Sequence, residues 1–461
     1  MMHKAGLWLA FGVVAFGVLA FGAVYEWAYT VTAVTAVVAG LISLTAPGRG
    51  PRLPSGWLVF ALIAIAAFIA LQLVPLSAPL LARLSPHTLP LAALLWPRFA
   101  VAPPESWSLS VLPASTSLAL ALFVAFAVFF LGTTRALSGA GVVLFARALT
   151  GLGAFVAIVA IVQMPLYRGQ IYGFWTPEAT VTPFGPFVNH NHFAGWMMMA
   201  LPLAIALTAD EYERGGGRLG SARSRWFWLA SSAAGPTLLA ASAAVVMAVS
   251  LLLANSRSAV LGLMVSAMAF VLMAMRGPQS RGRRFLALGV GVAAFGAVVA
   301  IAGLDRVLAP FGSHDTLLSD RWIVWQDATK IVRDFPWFGT GLNTFGAVNH
   351  HYLRSGLEFY YSETHNDYLQ ILTEGGFVFA AVVLATLVAL AAAIARAARD
   401  PRAARLSWIR TGAVVGMIAV GTQEFVDFSL QMPGNAVLFA TLCALAVQVP
   451  ASESLSRRRR A

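Results

Sequence analysis

A polar segment that contains a histidine interrupts a chain that is otherwise strongly apolar. It runs from Ser362 to Gly376, reads Ser-Glu-Thr-His-Asn-Asp-Tyr-Leu-Gln-Ile-Leu-Thr-Glu-Gly-Gly, and directly precedes a long apolar run. Polar groups beside a bilayer are costly to keep there, so we expect the chemistry of the protein in this segment. A neutral imidazole can accept a proton from a hydroxyl, which makes His365 a candidate general base. The alternative is a loop histidine that only forms hydrogen bonds.

The residues around His365 predict a short helix that begins at Thr364 and ends at Gly375-Gly376. Thr364 and Asp367, three residues later, resemble a capping box, and glycine is common where a helix ends. His365 is then expected in the first helical turn, where the positive end of the helix dipole keeps its ring neutral. Three flanking carboxyl groups could orient that ring, namely those of Glu363, Asp367 and Glu374.

Two more polar clusters lie at the ends of apolar runs. Asn189-His-Asn-His192 holds two histidines, but no neighbouring carboxylate or cysteine completes a ligand set, so no metal site is predicted. We expect this segment to cap the sixth span, with Asn189 and His192 lining a sugar or phosphate pocket. A simple hydrogen-bonded turn is the alternative. Farther along, Gln423-Glu424-Phe-Val-Asp427 places two carboxylates at a span end, where they could meet an arginine or sugar hydroxyls. Further candidate pocket residues are Asn366, Asp367 and Glu424.

The elements that must position these residues are membrane-spanning helices. Hydrophobic residues make up 59% of the chain, charged residues 11%, and the mean hydropathy is +0.76. The apolar runs reach the roughly 20 residues that a spanning helix needs and do not alternate as barrel strands do. We predict an all-α polytopic membrane protein with about twelve transmembrane helices. Their cores begin near Gly6, Trp27, Gly56, Ser117, Ala148, Phe193, Trp226, Ala259, Phe285, Gly376, Thr411 and Asn435.

The basic residues predict the orientation of the chain. Most of the 31 Lys and Arg lie in segments that are cytoplasmic if the N-terminus is cytoplasmic, which is a positive-inside bias. Both termini are then cytoplasmic, and three long loops, 75–116, 165–192 and 304–375, lie outside. We divide the chain into transmembrane helices one to nine (1–303), a large periplasmic catalytic loop (304–375), helices ten to twelve (376–450) and a basic cytoplasmic tail (451–461). The tail is expected to contact anionic lipid headgroups and not nucleic acid.

The third loop is expected to contain two helices joined by a glycine-rich turn. From Asp320 to Asp334 an amphipathic helix is predicted, which stops at Phe335-Pro336. Its apolar residues recur every three or four positions, at Trp322, Trp325, Ala328 and Val332. The turn follows in Phe338-Gly-Thr-Gly-Leu-Asn-Thr-Phe345, whose glycines lack the strand and helix of a dinucleotide-binding motif.

The segment from Arg321 through Phe335-Pro-Trp-Phe-Gly-Thr-Gly-Leu-Asn-Thr-Phe345 to Thr364-His-Asn-Asp-Tyr-Leu-Gln-Ile-Leu-Thr-Glu-Gly-Gly376 resembles the bacterial O-antigen ligase and O-antigen polymerase family. Asn255-Ser-Arg-Ser-Ala259 at a span end shares the resemblance, which is specific over roughly a quarter of the chain. It implies an integral membrane glycosyltransferase of the bacterial inner membrane with a GT-C-like, helical architecture.

The resemblance also implies roles for single residues. Members of the family transfer a glycan from undecaprenyl pyrophosphate to an acceptor hydroxyl, such as that of lipid A-core, without a metal ion or cofactor and with inversion. His365 would take the proton of the acceptor, and Arg257 and Arg321 would bind the pyrophosphate. Guanidinium groups suit that task because they stay charged and match phosphate oxygens. The alternatives for the arginines are contact with lipid headgroups for Arg257 and a solvated helix start for Arg321.

Other activities remain open from the sequence. A polymerase of O-antigen or exopolysaccharide, or a protein O-oligosaccharyltransferase, would use the same chemistry on another acceptor. A lipid-linked sugar flippase or transporter belongs to a different class. It would favour internal repeats and ionisable groups near the centres of the spans, whereas the identifiable charges here cluster at span ends.

Overall fold

The structure is a computed structural model that describes residues 2–46, 54–96, 99, 102, 104–137, 139–177, 182–275, 289, 316–353 and 361–449. Its longer helices are α1 Met2–Leu19, α2 Glu26–Thr45, α3 Gly56–Leu71, α6 Pro113–Ala136, α7 Gly139–Leu166, α8 His190–Arg214, α10 Gly235–Leu253, α11 Arg257–Met275, α12 Thr316–Asp334, α14 Asp367–Arg399, α15 Ser407–Gln423 and α16 Pro433–Ala446. Short helices are α4 Ala78–Leu84, α5 Thr88–Leu95, α9 Ala222–Leu229 and α13 Phe345–Asn349. Two short strands, β1 Leu76–Ser77 and β2 Ser106–Trp107, pair antiparallel.

The described part of the chain is an all-α polytopic membrane protein, as predicted. Seven of its helices are long and apolar enough to cross a membrane, and four shorter apolar helices accompany them. Together they account for every predicted span except the ninth, near Phe285, which lies outside the described residues. The apolar runs alone therefore located the bundle.

Helix α8 lies at the centre of the bundle and is buried along nearly its whole length. Helix α15 packs closely against it because glycine faces the contact: a Cβ on Gly412 would lie 2.7 Å from the carbonyl oxygen of Pro202. This is the close helix packing that small residues permit in membranes.

The seventh span differs from its prediction. Trp226 lies on the separate short helix α9 with 73% of its surface exposed, and the span itself begins at Gly235. Pro236 is in the first turn of α10, where its missing N–H costs no hydrogen bond. The proline therefore starts this helix instead of kinking a longer one.

The predicted outer loops meet at one end of the bundle. The backbone N–H of Val111, in the first loop, donates to the carbonyl of Thr340 in the third loop at 2.9 Å. A hydrophobic cluster joins the same two loops through Leu91, Val111, Val324, Ile331 and Phe345, among others. The second loop reaches this end through His190, whose Nδ1 lies 2.8 Å from the carbonyl oxygen of Ala254. The three loops therefore contribute to the same end of the bundle.

The amphipathic helix of the third loop is present, and its predicted apolar face is buried in part, at Ala328, but not at Trp322. Helix α12 begins at Thr316, earlier than expected, and its buried residues include Val324, Ala328 and Ile331. Trp322 is instead 58% exposed. The reason is that the loop has its own hydrophobic cluster with Phe345 and Val111, and this cluster selects the face.

Candidate active site

Glycines let the third loop close against the start of the tenth span. Gly339, Gly341 and Gly376 have φ values of +66°, +105° and +66°, which L side chains rarely adopt. A Cβ on Gly339 would collide with the backbone of Glu374, and one on Gly376 with the backbone of Trp337. Backbone hydrogen bonds join the two segments of chain: Thr340 N donates to Thr373 O at 3.1 Å, Gly341 N to Glu374 O at 3.0 Å and Phe377 N to Pro336 O at 2.7 Å. We call residues 336–342 with 373–378 the glycine clasp.

Two buried polar side chains hold the clasp. The carboxylate of Glu374 accepts the backbone N–H groups of Asn343 at 2.8 Å, Thr344 at 3.1 Å and Phe345 at 2.9 Å. Gln72, at the end of α3, donates from Nε2 to the carbonyl oxygens of Phe338 at 2.8 Å and Glu374 at 2.9 Å. The third loop is thus fixed to the bundle beside the histidine.

His365 lies before the helix, not in its first turn as predicted. The helix begins at Asp367, and its N-cap is Asn366, whose side chain accepts the N–H of Leu369 at 3.0 Å. Thr364 instead closes a turn around the histidine, because its Oγ1 accepts the N–H of Asn366 at 3.1 Å. His365 has a φ of +54°, a left-handed conformation that costs about 1–2 kcal/mol. The predicted end of this helix at Gly375-Gly376 is confirmed by the break at Gly376.

The imidazole of His365 is held by aromatic rings and has a ring nitrogen without a hydrogen-bond partner among the described residues. Its centroid is 4.7 Å from that of Phe428 and 5.7 Å from that of Tyr361, both edge to face. Its Nδ1 is buried and has no hydrogen-bond partner among the described residues. Burial, and then the charge of Arg321, lower the pKa of His365 to about 4. The ring is therefore neutral as expected, but the cause is burial and a nearby cation rather than the helix dipole.

Arg321 and His365 both contact the chain between α15 and α16, at Val426 and Phe428. Its guanidinium donates to the carbonyl oxygen of Val426 at 2.8 Å. Burial raises the pKa of Asp427, and the charge of Arg321 acts against that rise; the same charge adds to the lowering of the pKa of His365 by burial. One turn along α12, Trp325 donates from Nε1 to the carbonyl oxygen of Thr364 at 2.9 Å. Helix α12 thereby brings Arg321 and His365 together.

Arg257 is exposed, and its neighbour Ser258 contacts Asp427 in the chain between α15 and α16. It begins α11 directly after Asn255, whose φ is +51°, and between two serines that bond inward. Ser256 donates to Oδ1 of Asn191 at 2.7 Å, and Ser258 donates to Oδ2 of Asp427 at 3.3 Å. The backbone at Arg257 is therefore joined to the chain that Arg321 contacts.

The second loop supplies a cap and a buried histidine. Asn189 is the N-cap of α8, and its side chain accepts the N–H of Asn191 at 2.8 Å. His192 is 7% exposed, and its ring packs on Phe428 at 4.8 Å, so that Phe428 contacts both His192 and His365. Within the described chain Nε2 of His192 has no hydrogen bond, and it lies 4.0 Å from Oδ1 of Asp427.

The carboxyl groups around His365 bond elsewhere. Among the described residues, the carboxylate of Glu374 accepts the N–H of Asn343 next to the glycine clasp. The carboxyl group of Asp367 accepts from Nε2 of Gln431 at 2.6 Å and interacts with the carboxyl group of Glu424. Burial, and then the charge of Glu374, raise the pKa of Glu363 to about 8. No group of three or more His, Cys, Asp or Glu in the described ranges is arranged to hold a metal ion.

Three residues that matter here gave little signal in the sequence. Gln72 is a lone glutamine that ends an apolar run, and Phe428 is one of 30 phenylalanines. Gln370 lies inside the polar segment, where its Oε1 accepts the N–H of Thr364 at 3.0 Å and its Nε2 reaches Glu374 at 3.3 Å. Only its spacing of four residues from Glu374 indicated a shared helix face.

The protein is therefore a polytopic membrane protein. At one end of its helical bundle the loops bring a neutral histidine and an arginine together in a polar site. Residues 242–384 match the family model described as O-antigen ligase. The match includes Arg257, Arg321 and His365 and confirms the resemblance seen in the sequence. No curated protein matches the chain in sequence. The family implies membrane glycosyltransferase-type activity on lipid-linked glycans.

Proposed function

We propose that the protein transfers a glycan from undecaprenyl pyrophosphate to a hydroxyl of lipid A-core. The observation that carries this proposal is that two groups lie inside the family match: a neutral imidazole whose buried Nδ1 has no hydrogen-bond partner among the described residues, and a guanidinium whose charge acts on that ring. A base and an anion-binding group are what the displacement of a diphosphate by a hydroxyl requires.

The reaction is a single displacement at the anomeric carbon. The acceptor oxygen forms a bond to that carbon as the bond to the diphosphate breaks, and the hydroxyl proton passes to His365. The leaving diphosphate gains negative charge, which Arg321 and Arg257 stabilise through their guanidinium groups. Attack opposite the leaving group inverts the anomeric configuration. Held in line by the loop, the two substrates need little further reorganisation.

An apolar cavity supports the placement of a lipid donor. It lies between α8, α10, α11 and α15, and its lining includes Met198, Leu251, Leu263 and Phe270. A second, smaller pocket is lined by Leu251 together with Ser256, at the segment that begins at Asn255 and carries Arg257. A polyprenyl chain in the cavity would thus present its diphosphate near that arginine.

The proposed location of the site is the periplasmic face of the inner membrane. The positive-inside bias of the sequence supports it, and so does the meeting of the three predicted outer loops at one end of the bundle. At this face a donor activated in the cytoplasm is needed, because nucleotide sugars are not available there. Asn189, His192, Asn366, Asp367 and Glu424 are proposed to shape or support the substrate pocket.

The test is complementation of cells that lack the protein. Such cells should keep long glycans on the polyprenyl carrier, and the wild-type gene should restore glycan on lipid A-core. His365→Ala should fail to restore it, while His351→Ala, a change of an exposed histidine in the same loop, should succeed. If the cells that lack the protein instead carry single repeat units on the core, the protein is a polymerase. Undiminished transfer by His365→Ala at normal membrane levels would remove the catalytic role.

A further inference from the structure

The turn that carries His365 is fastened to the chain between α15 and α16 by two acids, the partly buried Asp367 and the buried Glu424. The backbone N–H of Asp367 donates to the carbonyl oxygen of Glu424 at 3.0 Å, and the two carboxyl groups lie close enough to interact with each other. Gln431 donates to Oδ1 of Asp367 at 2.6 Å. Glu424 is only 2% exposed. Phe428, which holds the His365 ring, lies on the same stretch of chain.

Two carboxylates cannot hydrogen-bond to each other unless one of them carries a proton. Oε1 of Glu424 accepts the N–H of Leu430 at 3.2 Å, whereas its buried Oε2 has no donor in the described part of the chain. Burial, and then the neighbouring Asp367, raise the pKa of Glu424 well above its usual value. A proton held between Glu424 and Asp367 would satisfy both carboxyl groups.

Several charged or titratable groups face this pair. The negative charge of Asp427 favours the protonated forms of Asp367 and Glu424. Glu363, on the His365 turn, interacts with Asp367. Tyr368 donates its hydroxyl to the carbonyl oxygen of Gly421 at 2.7 Å. The cation Arg321 donates to the carbonyl oxygen of Val426 on the same stretch of chain, and its charge acts on His365 and Asp427. Loss of the shared proton would leave adjoining negative charges in a buried place.

We propose that Asp367 and Glu424 form a proton-sharing clamp that positions His365 against Phe428. Both acids are positioning residues, since they act through the turn and not on the reacting atoms. When the proton is lost, the two carboxylates repel, the His365 turn separates from the 424–431 segment, and the base leaves its place. The effect on transfer rests on the proposed function, whereas the shared proton itself does not.

The test compares pH profiles of glycan transfer by purified wild-type protein and Glu424→Gln. Wild-type transfer should fall on the alkaline side, by about tenfold per pH unit once the shared proton dissociates. The amide of Glu424→Gln donates a hydrogen bond that does not titrate, so its alkaline fall should move to higher pH or vanish. Asp400→Asn, an acid-to-amide change at an Asp400–Arg402 pair between α14 and α15, should keep the wild-type profile. The same alkaline fall in Glu424→Gln would overturn the clamp.

A second measurement separates this clamp from the proposed function. A carboxyl whose pKa is higher in the folded state than in the unfolded state stabilises the folded protein while it is protonated. The free energy of unfolding therefore declines as the pH rises through that raised pKa. The melting temperature of the wild type should therefore fall more steeply than that of Glu424→Gln as the pH rises from the usual range of a carboxyl toward the raised pKa of Glu424. A difference in slope without any transfer activity would retain the clamp and reject the proposed function. Transfer with equal slopes would do the reverse.

Discussion

Replacement of Glu374 by alanine is the change that most directly probes how the site is held. The wild-type carboxylate satisfies three backbone N–H groups, those of Asn343, Thr344 and Phe345, at 2.8–3.1 Å. Alanine leaves all three donors without their acceptor, and two of them, those of Thr344 and Phe345, belong to buried residues, whereas Asn343 is exposed to solvent. Each unsatisfied buried donor costs about 1–3 kcal/mol, so the loss from these two should be roughly 2–6 kcal/mol in the free energy of unfolding. That is a large share of the roughly 5–15 kcal/mol that stabilises a typical domain.

Glu374→Gln gives a graded comparison. Its remaining oxygen can keep the bonds that Oε1 accepts from Thr344 and Phe345, while an NH₂ group replaces Oε2 and faces the N–H of Asn343. One bond is then lost instead of three, and the expected cost is about 1–2 kcal/mol. Glu363→Gln is the matched control. Because the pKa of Glu363 is raised to about 8, this acid is already protonated at neutral pH and should tolerate the amide.

The measurements are denaturant or thermal unfolding in detergent and hydrogen exchange of the three amides. A loss of about 3 kcal/mol corresponds to exchange roughly a hundredfold faster, since each 1.4 kcal/mol is a factor of ten. Glu374→Ala should show this at 343–345 and Glu363→Gln should not. If Glu374→Ala stays within about 1 kcal/mol of the wild type, the clasp does not depend on this carboxylate and the reasoning fails.

Three further outcomes are expected. Arg321→Lys keeps the charge but loses the guanidinium fork, so kcat/KM for the diphosphate donor should fall about tenfold or more in a transfer assay; full activity would argue against a two-point phosphate contact. Because the pKa of His365 is lowered to about 4, the neutral ring persists down to that value, and the acid limb of the pH–rate profile should lie below about pH 5. An acid limb near the ordinary value of 6.5 would show that the ring is solvated. Gly339→Ala places a Cβ against the backbone of Glu374 at a φ of +66° and should lower the melting temperature, with an energetic cost of about 2 kcal/mol or more; an unchanged melting temperature would contradict the clasp.

Much of this architecture follows from the sequence because apolar run length is a strong physical signal. A run such as that after Gly376 has no alternative to a spanning helix, and the polar segment before it stands out by contrast. The glycine-rich turn after Phe338 was equally readable, since Gly339 and Gly341 adopt positive φ values.

The errors have a local cause. Both Thr364 and Asn366 are good N-cap residues, and the sequence alone does not decide between them. Contacts from distant chain settle it: Asp367 bonds to Glu424, and Trp325 bonds to Thr364. These contacts start the helix at Asp367 and place His365 outside it. The same limit applies to Gln72, whose partners lie 266 and 302 residues farther along the chain.

The central claim is that His365 deprotonates an acceptor while Arg321 stabilises the departing diphosphate. It is tested most directly by purified protein in liposomes that contain undecaprenyl-pyrophosphate glycan and lipid A-core. The account predicts a product of inverted anomeric configuration, released with an equal amount of undecaprenyl pyrophosphate, at a rate that falls on the order of a thousandfold in His365→Ala. A product of retained configuration, or equal rates for the two proteins, would contradict it.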